Sequence, residues 1–352
     1  MSVPWEKAST GYAKSEGDYV RKFTLGMSLA VCLVAINFEA KASIIPFYYT
    51  TGNQTPDLFA AQYNTVLNTV SSVGIGSGVL SDGIATGPTV GGQQTLFFTG
   101  EGDRSIYQVT VGGTFLASSG PITGINNAFL LNTNPAGNTL FTFDNAGHVG
   151  TDAITSGGLV TFGGGVAHNV VAGVGGDTNV SMMVWGMNPV GPIYYMTGTP
   201  SSAGNIGTID ISGANYVTTQ LYSGIATAQD AHFDPFTGLI VFWGQGRMAT
   251  LNPVTGVLSA SIALPSGSCA TSGLTTGALD GAGHALIAAC GQLDYIDYTA
   301  NHNIMTSAIV VTPGVAGKDL VIFGTTASPE PSTILFALGG LALVAAKRLR
   351  RA

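Results

Sequence analysis

The chain has 352 residues and a formal net charge of −7, and only 9% of its residues are charged, against about 25% in an ordinary soluble domain. Between residues 43 and 328, three cations stand against fourteen acidic side chains, a net charge of −11, which excludes the multiple phosphate contacts that nucleic-acid binding needs. The 50 glycines and the many Thr, Ser and Asn residues favour strands and turns over helices.

The N-terminal part of the chain has the three regions of a secretory signal peptide. Two cations, Arg21 and Lys22, precede an apolar stretch at residues 23–38, and small residues follow it. We therefore expect residues 1–42 to be an N-terminal extension and signal peptide, with a cleavage site formed by Ala40, Ala42 and Ser43. Initiation at Val20 would give a shorter n-region, and the sequence leaves both starts open.

Two cysteines, Cys269 and Cys290, remain after removal of the signal peptide. Because an exported chain reaches an oxidising compartment, a disulfide between these two residues is the expected state. Two buried free thiols in neighbouring strands are the alternative.

Residues 43–326 contain an internal repeat. A polar or glycine-rich turn and a second strand follow each of five apolar runs, and four of the five units continue into a third β-rich piece, at residues 113–119, 157–163, 215–222 and 256–262. The unit at residues 232–258 contains four short strands, separated by a glycine-rich turn and by two tight turns in which Asp-Pro or Asn-Pro precedes a glycine. The runs are spaced by 44, 54, 46 and 46 residues and begin at Thr95, Thr139, Ile193, Leu239 and Ala285.

A repeat of roughly 40–50 residues with four short strands is typical of a β-propeller blade. These units resemble the blades of NHL-like and other divergent propellers. Residues 57–63 and 319–324 match parts of one further unit, so we expect the two ends of the region to close the ring together. The prediction is an all-β fold, a β-propeller of about six four-stranded blades, with seven as the other count. A pair of β-sandwiches and a β-solenoid are the alternatives.

Candidate catalytic and metal-binding side chains are scattered along the chain. His232 and Asp234 would share one face of a strand and could form a dyad, but no Ser or Cys nucleophile stands beside them. His148 and His284 each follow an Asp-x-Ala-Gly turn, and we expect both to be solvated. Three carboxylate pairs could bind Ca²⁺ but lack the spacing of a calcium loop: Asp294 with Asp297, Asp230 with Asp234, and Glu101 with Asp103. No catalytic residue, metal site or cofactor is therefore predicted.

Three aromatic runs contain residues of the kind that stack on sugar rings: Phe47-Tyr48-Tyr49, Tyr194-Tyr195 and Phe242-Trp243. Adjacent side chains of a strand point to opposite faces of the sheet. Each adjacent pair is therefore predicted to give one core residue and one outer residue, with core packing as the main role.

The C-terminal residues 327–352 carry three successive features. Two prolines fix the start of a helix, whose apolar part at residues 334–346 spans only about 20 Å, short for a permanent membrane helix. A cationic cluster follows and should stay on the cytoplasmic side, which leaves the body of the chain outside. The first feature comprises Pro329, Glu330, Pro331 and Ser332, and the last comprises Lys347, Arg348, Arg350 and Arg351. This tail resembles the PEP-CTERM sorting signal of Gram-negative bacteria.

The resemblance implies that exosortase recognises the tail and cleaves it near the Pro-Glu-Pro triplet, and that the chain is held at the inner membrane before processing. It also implies association with exopolysaccharide, biofilm or the outer surface. We therefore expect an exported envelope or extracellular-matrix protein whose non-catalytic propeller has a binding or structural role, with exopolysaccharide or envelope proteins as partners. The alternative function is a propeller enzyme, a lyase, lactonase or hydrolase acting on extracellular polysaccharide. The alternative for the tail is an ordinary C-terminal anchor.

Overall fold

A computed structural model describes residues 43–322, with the exception of residues 53–56, 77–78, 145, 187–190, 200, 267–274, 316 and 318. Every regular element in this part of the chain is a β-strand. No described segment is a helix long and apolar enough to span a bilayer. The predicted signal peptide at residues 1–42 and the predicted sorting signal at residues 327–352 lie outside the described residues.

The described part of the chain forms 24 strands. The first twelve are β1 (Ile44–Thr50), β2 (Leu58–Asn64), β3 (Thr69–Gly76), β4 (Ile84–Val90), β5 (Gln93–Gly100), β6 (Ser105–Thr110), β7 (Phe115–Ser118), β8 (Leu131–Thr133), β9 (Thr139–Phe143), β10 (His148–Ala153), β11 (Val166–Ala172) and β12 (Met182–Trp185). The other twelve are β13 (Ile193–Met196), β14 (Gly204–Asp210), β15 (Tyr216–Ile225), β16 (Asp230–Asp234), β17 (Leu239–Gly244), β18 (Arg247–Leu251), β19 (Ile262–Ala263), β20 (Thr276–Leu279), β21 (His284–Ala289), β22 (Gln292–Asp297), β23 (Ile309–Pro313) and β24 (Asp319–Ile322).

The strands form five sheets. Four of them have four antiparallel strands each, in the orders β24-β1-β2-β3, β4-β5-β6-β7, β16-β17-β18-β19 and β20-β21-β22-β23. The fifth sheet has eight strands and consists of two antiparallel groups, β8 to β11 and β12 to β15, which are joined by the parallel pair of β11 and β15. The two end strands of this sheet, β8 and β12, also lie in contact, so the sheet nearly closes on itself.

The first strand of each four-stranded group lies toward a common centre. Each inner strand contacts the next one in the order β24, β4, β8, β12, β16 and β20. Because β20 also contacts β24, these inner strands form a closed ring. The arrangement is propeller-like, as predicted, because each group packs its faces against the groups on either side and leaves only its outer strand as an edge. The five predicted apolar runs all lie in the second strand of their group, on β5, β9, β13, β17 and β21.

Both ends of the described region contribute to one sheet. β24 pairs antiparallel with β1, with Thr50 opposite Asp319 and Phe47 opposite Ile322. The sequence predicted this joint sheet but placed residues 319–324 at the position of the apolar runs. In the structure β24 is the inner strand, and β1 takes the second position.

The predicted proline-containing turns form as expected. In the turn after β16, the N–H of Gly238 donates to the carbonyl of Asp234 at 2.8 Å, and Gly238 has a φ of +73°. In the turn after β18, the N–H of Gly256 donates to the carbonyl of Asn252 at 2.8 Å, and its φ is +71°. Glycine is needed at both positions because other residues rarely adopt this left-handed conformation.

The aromatic pairs are buried on both faces of their strands. Phe242 and Trp243 are adjacent on β17 and both fully buried, but Phe242 packs in the cluster that contains Tyr195, whereas Trp243 packs with Tyr298. Tyr194 is 3% exposed. The expectation of one core and one outer residue in each pair is therefore wrong for these two pairs, because the second strand of a group is covered by a neighbouring group on either side.

The third β-rich pieces of the repeat match the outer strands unevenly. Residues 113–119 and 215–222 contain β7 and most of β15. Residues 157–163 instead form a turn closed by a bridge between Ile154 and Val160, and the outer strand of that group is β11. Residues 256–262 reach only the first residue of β19, which has two residues in all.

Candidate binding site

A cavity of about 420 Å³ lies at the centre of the ring, within the range of about 300–1,000 Å³ that is usual for small-molecule sites. It is bounded by four of the inner strands, by the turn that follows β8 and by Ile154. The lining residues that matter for its chemistry are Thr86 on β4, Asn132 and Thr133 on β8, Trp185 on β12, and His232 and Phe233 on β16.

A second cavity, of about 140 Å³, adjoins the first. The two share Thr86, Asn132, Thr133, His232 and Phe233, and the second also contacts apolar residues of β20 and β24. Since residues from all six inner strands line the pair of cavities, the site lies on the axis of the ring.

Among the described residues that line the two cavities there is no Asp, Glu, Lys or Arg side chain. Asn132 is fixed in place, because its amide donates to the carbonyl of Met183 at 2.9 Å and its carbonyl oxygen accepts from the N–H of Thr133 at 2.8 Å. Trp185 packs on Phe141, with ring centroids 5.2 Å apart. The cavity therefore combines aromatic surface with hydroxyl, amide and imidazole groups.

His232 is the only titratable side chain among the described residues of the lining, and a buried carboxylate lies beside it. Its Nε2 lies 3.6 Å from Oδ1 of Asp230, and 26% of its side chain is exposed. The other oxygen of Asp230 accepts from the N–H of Gly277 on the next inner strand, at 2.9 Å. Burial raises the pKa of Asp230 above its ordinary range, although His232 and the N–H of Gly277 oppose the shift.

The predicted partner of His232 is the wrong carboxylate. Asp234 accepts from the N–H of Phe236 at 3.0 Å and from the hydroxyl of Thr237 at 2.6 Å, which commits it to the turn after β16. Because side chains two residues apart share a face of a strand, Asp230 and Asp234 were equally placed by the sequence. Asp230 remains beside His232 because it begins the strand and no tight turn engages its side chain.

A second buried carboxylate, Asp319, begins the inner strand β24. Its Oδ2 accepts from the N–H of Ile84 at 2.9 Å, and its Oδ1 accepts from the N–H of Leu320 at 2.8 Å. Burial, together with the nearby Asp230 and Asp82, raises the pKa of Asp319 well above its ordinary range. These acids lie where inner strands begin.

The members of the three carboxylate pairs have different positions or partners in the structure. Asp230 and Asp234 begin and end one strand. Asp294 is buried and accepts from the hydroxyl of Ser266 at 2.6 Å, whereas the half-exposed Asp297 caps the turn at Thr299. The side chains of the third pair have separate partners, Asn127 for Glu101 and Tyr107 for Asp103. Within the described residues, no group of three His, Cys, Asp or Glu side chains is placed to hold a metal ion.

The histidines of the two Asp-x-Ala-Gly turns are bonded within the turn. Nδ1 of His148 lies 2.8 Å from Oδ2 of Asp144, and Nδ1 of His284 lies 2.6 Å from Oδ2 of Asp280. Their side chains are 29% and 26% exposed. The expectation that both are solvated is therefore wrong, because the turn aspartate holds each ring half-buried.

Most other predicted site residues lie outside the described part of the chain. These are Ala40 and Ala42 of the signal cleavage site, all residues of the sorting motif and the cationic cluster, and Cys269. Ser43, on the other side of the cleavage site, is described and is exposed. Cys290 is disulfide-bonded, and its pairing with Cys269 stays a prediction.

Comparison with known proteins provides evidence about the fold alone. No family model matches the chain. No curated protein matches it either. Among solved structures, a candidate 6-phosphogluconolactonase from Bacteroides uniformis is 12% identical over 77% of this chain and 83% of its own, with a TM-score of 0.50. A second candidate 6-phosphogluconolactonase, from Bacteroides fragilis, is 10% identical over 80% of this chain and 98% of its own, with a TM-score of 0.49. At this identity the first likeness supports the propeller-like fold alone.

Sequence reasoning missed most of the cavity. Thr86, Asn132, Thr133 and Trp185 lie on inner strands, which are three to seven residues long; β8 has only three residues. A usable signal was present in the spacing, because β4, β8, β16 and β20 each closely precede an apolar run. Counting back from these runs would have located four of the inner strands.

Proposed function

We propose that this chain is an exported envelope or extracellular-matrix protein, sorted by exosortase, whose propeller of six four-stranded blades has a binding role rather than a catalytic one. The proposal for export and sorting rests on the signal-peptide pattern at residues 1–42 and on the resemblance of residues 327–352 to a PEP-CTERM signal. The count of six blades follows from treating the two halves of the eight-stranded sheet as separate blades, since each half contributes one strand to the inner ring.

The observation that carries the binding role is the neutral lining of the central cavity. A body with a net charge of −11 repels anionic polymers, whereas aromatic surface with fixed amide and hydroxyl groups suits uncharged, hydroxyl-rich ligands. A ligand of this chemistry in the extracellular matrix is a neutral segment of exopolysaccharide. We therefore assign neutral polysaccharide as the ligand class of the cavity.

Sorting is tested by intact mass measurement of the protein recovered from the envelope and the medium of its own host. A species that begins at Ser43 and ends between Pro329 and Ser332 is expected. A species that still carries Arg351 would identify the tail as an ordinary anchor and would remove the argument for exosortase.

Binding is tested with the host's own exopolysaccharide, separated by anion exchange into neutral and acidic fractions. After loss of the signal peptide the chain contains two tryptophans, Trp185 in the cavity and Trp243, which is fully buried. The neutral fraction is expected to change the tryptophan emission of the wild-type protein, and Trp185→Phe is expected to abolish that change while the fold persists. A response to the acidic fraction alone, or to neither fraction, would contradict the assignment.

One observation favours the alternative enzyme function. His232 lines the cavity, and its Nε2 lies 3.6 Å from Oδ1 of the buried Asp230; a histidine with a carboxylate nearby is a combination used for general-base catalysis. A lactonase or hydrolase of this kind would release acid or reducing ends from host polysaccharide. Turnover by the wild-type protein that is lost in His232→Asn, while polysaccharide binding persists, would favour the enzyme over the binding module.

A further inference from the structure

β3 is a long outer strand without charged residues. It has eight residues, forms the edge of the sheet β24-β1-β2-β3, and contains no charged residue and no proline. Four successive residues, from Ser71 to Gly74, are exposed, and Val73 is 63% exposed. Apart from its pairing with β2, the described part of the chain supplies no strand to β3. Natural edge strands are usually short, charged or interrupted by proline, since an open edge pairs readily with another strand.

Both ends of β3 are fixed to neighbouring blades. Just before the strand, the Asn68 amide donates to the carbonyl of Val311 at 3.0 Å, and its carbonyl oxygen accepts from the hydroxyl of Thr312. At the other end, the carbonyl of Ile75 packs so closely on Gly113 that a Cβ at position 113 would clash with it. The strand is therefore held in an extended conformation, and its outward N–H and C=O groups are already arranged for pairing.

The other outer strands are shorter than β3 or pair in part with another outer strand. β7, β19 and β23 have four, two and five residues. β11 and β15 have seven and ten, and they pair with each other in parallel, with Val170 to Ala172 beside Tyr216 to Thr218. Two outer strands of this chain therefore already pair with each other, edge to edge.

We propose that β3 is a self-association site, at which it pairs antiparallel with β3 of a second copy of this chain. A second copy fits because a twofold axis brings each residue close to its own kind, and an uncharged strand makes no like-charge contact there. Outside this strand pair, residues 43–328 of the two copies repel each other, since each copy has a net charge of −11 over these residues. This inference goes beyond the proposed function, since it depends neither on the tail nor on the cavity.

The symmetry of the pair restricts its register. An antiparallel twofold axis perpendicular to the sheet always places one residue directly opposite its own copy. In a strand of residues 69–76 paired over nearly its whole length, that residue is Ser72 or Val73. Directly opposite Cα atoms lie about 4.5–5.5 Å apart, which a disulfide spans without strain.

The pair is expected to be weak and reversible. Two eight-residue strands bury much less than the roughly 1,200–2,000 Å² of a stable interface. Self-association should therefore appear at high local concentration, as on an envelope or in a matrix, and should be absent in dilute solution.

Cysteine crosslinking of the full chain in its own host tests the proposal. Ser72→Cys and Val73→Cys are compared with Val254→Cys, whose position is 76% exposed in a turn, and covalent species are resolved on non-reducing gels. We expect a dimer of twice the chain mass from one of the two β3 variants and none above background from the control. Dimer yields no higher than that of the control in both variants, or a crosslink to a protein of different mass, would overturn it.

A second measurement keeps the test independent of disulfide formation. Sedimentation of the exported protein over a range of concentrations should show reversible dimerisation, and Val73→Lys should weaken it by about tenfold or more because two cations then meet near the axis. Val254→Lys adds the same charge away from β3 and should have no effect. A wild-type protein that stays monomeric at the highest concentration would overturn the proposal.

Discussion

The backbone N–H of Ile84 donates a hydrogen bond of 2.9 Å to Oδ2 of Asp319, which lies 235 residues further along the chain. Ile84 begins β4 and Asp319 begins β24, so this bond joins two inner strands that come from opposite ends of the described region. The second oxygen of Asp319 accepts from the N–H of Leu320, and Asp319 is 2% exposed. One carboxyl group therefore satisfies two buried backbone donors at the closure of the ring.

Removal of this carboxyl should destabilise the closed ring. Asp319→Ala leaves the N–H groups of Ile84 and Leu320 without their acceptor, and each such loss costs about 1–3 kcal/mol. Denaturant unfolding of the full chain at acidic pH, where the raised pKa keeps the wild-type carboxyl protonated, should show the lower stability of the variant. Val254→Ala, at an exposed turn, is the control and should be nearly neutral; equal stability of Asp319→Ala and the control would contradict the role in closure.

Asp152 should make the protein less stable as the pH rises. Burial raises the pKa of this carboxyl to about 6, and the backbone N–H groups of Ala153 and Thr161 oppose the shift only in part. Since the folded-state pKa lies above the unfolded one, the protonated form is favoured in the folded state. Its stabilising contribution is fully present below about pH 4 and is lost as the pH rises to about 6, a change of about 3 kcal/mol.

The variant that isolates this effect is Asp152→Asn, which stays neutral at every pH. We expect unfolding experiments at pH 4 to 7 to show a shallower loss of stability in the variant than in the wild-type protein. The comparison is needed because other buried carboxyls with raised pKa values, such as Asp230 and Asp319, act in the same direction in both proteins. Parallel pH profiles would exclude Asp152 as the cause.

Asp280 and His284 should together stabilise the folded state within a defined pH range. The hydrogen bond that the imidazole of His284 donates to Asp280 raises the pKa of His284 despite its burial. The pKa of Asp280 is lowered, because bonds from His284 and from the N–H of Ala282 outweigh the effect of burial. The aspartate contributes stability above its unfolded pKa of about 4, and the histidine contributes below its unfolded pKa of about 6.5 and loses this as the pH rises further.

Two substitutions separate the charge of this pair from its role in the turn. Asp280→Asn keeps an acceptor for the backbone N–H groups but removes the charge, so its destabilisation should be largest between about pH 4 and 6.5. Asp280→Ala also removes the acceptor for Ala282 and His284, and should destabilise more at every pH. If the two variants lose the same stability at all pH values, the charge contributes nothing.

The repeat and the ring closure were accessible from the sequence, whereas the site was not. Apolar runs such as that from Leu239 are strong signals because the second strands that carry them are buried on both faces, so their side chains are almost all apolar. The inner strands give weaker signals because they are only three to seven residues long and polar residues such as Thr86 and Asn132 interrupt them. The partner of His232 could not be chosen, since the sequence places Asp230 and Asp234 at equal distances along the strand and only the turn separates them.

The cavity assignment makes a prediction that distinguishes aromatic from polar recognition. Trp185→Ala removes the ring that packs on Phe141 at the cavity wall and should weaken binding of the neutral polysaccharide fraction by about tenfold, the equivalent of about 1.4 kcal/mol. Thr133→Val keeps the shape of the lining but removes one hydroxyl, and should weaken binding less. Calorimetric titration measures both, with Thr255→Val in an exposed turn as the matched control. Because Trp185→Ala also removes packing, its melting curve must be recorded beside that of Trp185→Phe. A variant that melts cooperatively and binds as tightly as the wild-type protein would place the polysaccharide elsewhere on the propeller.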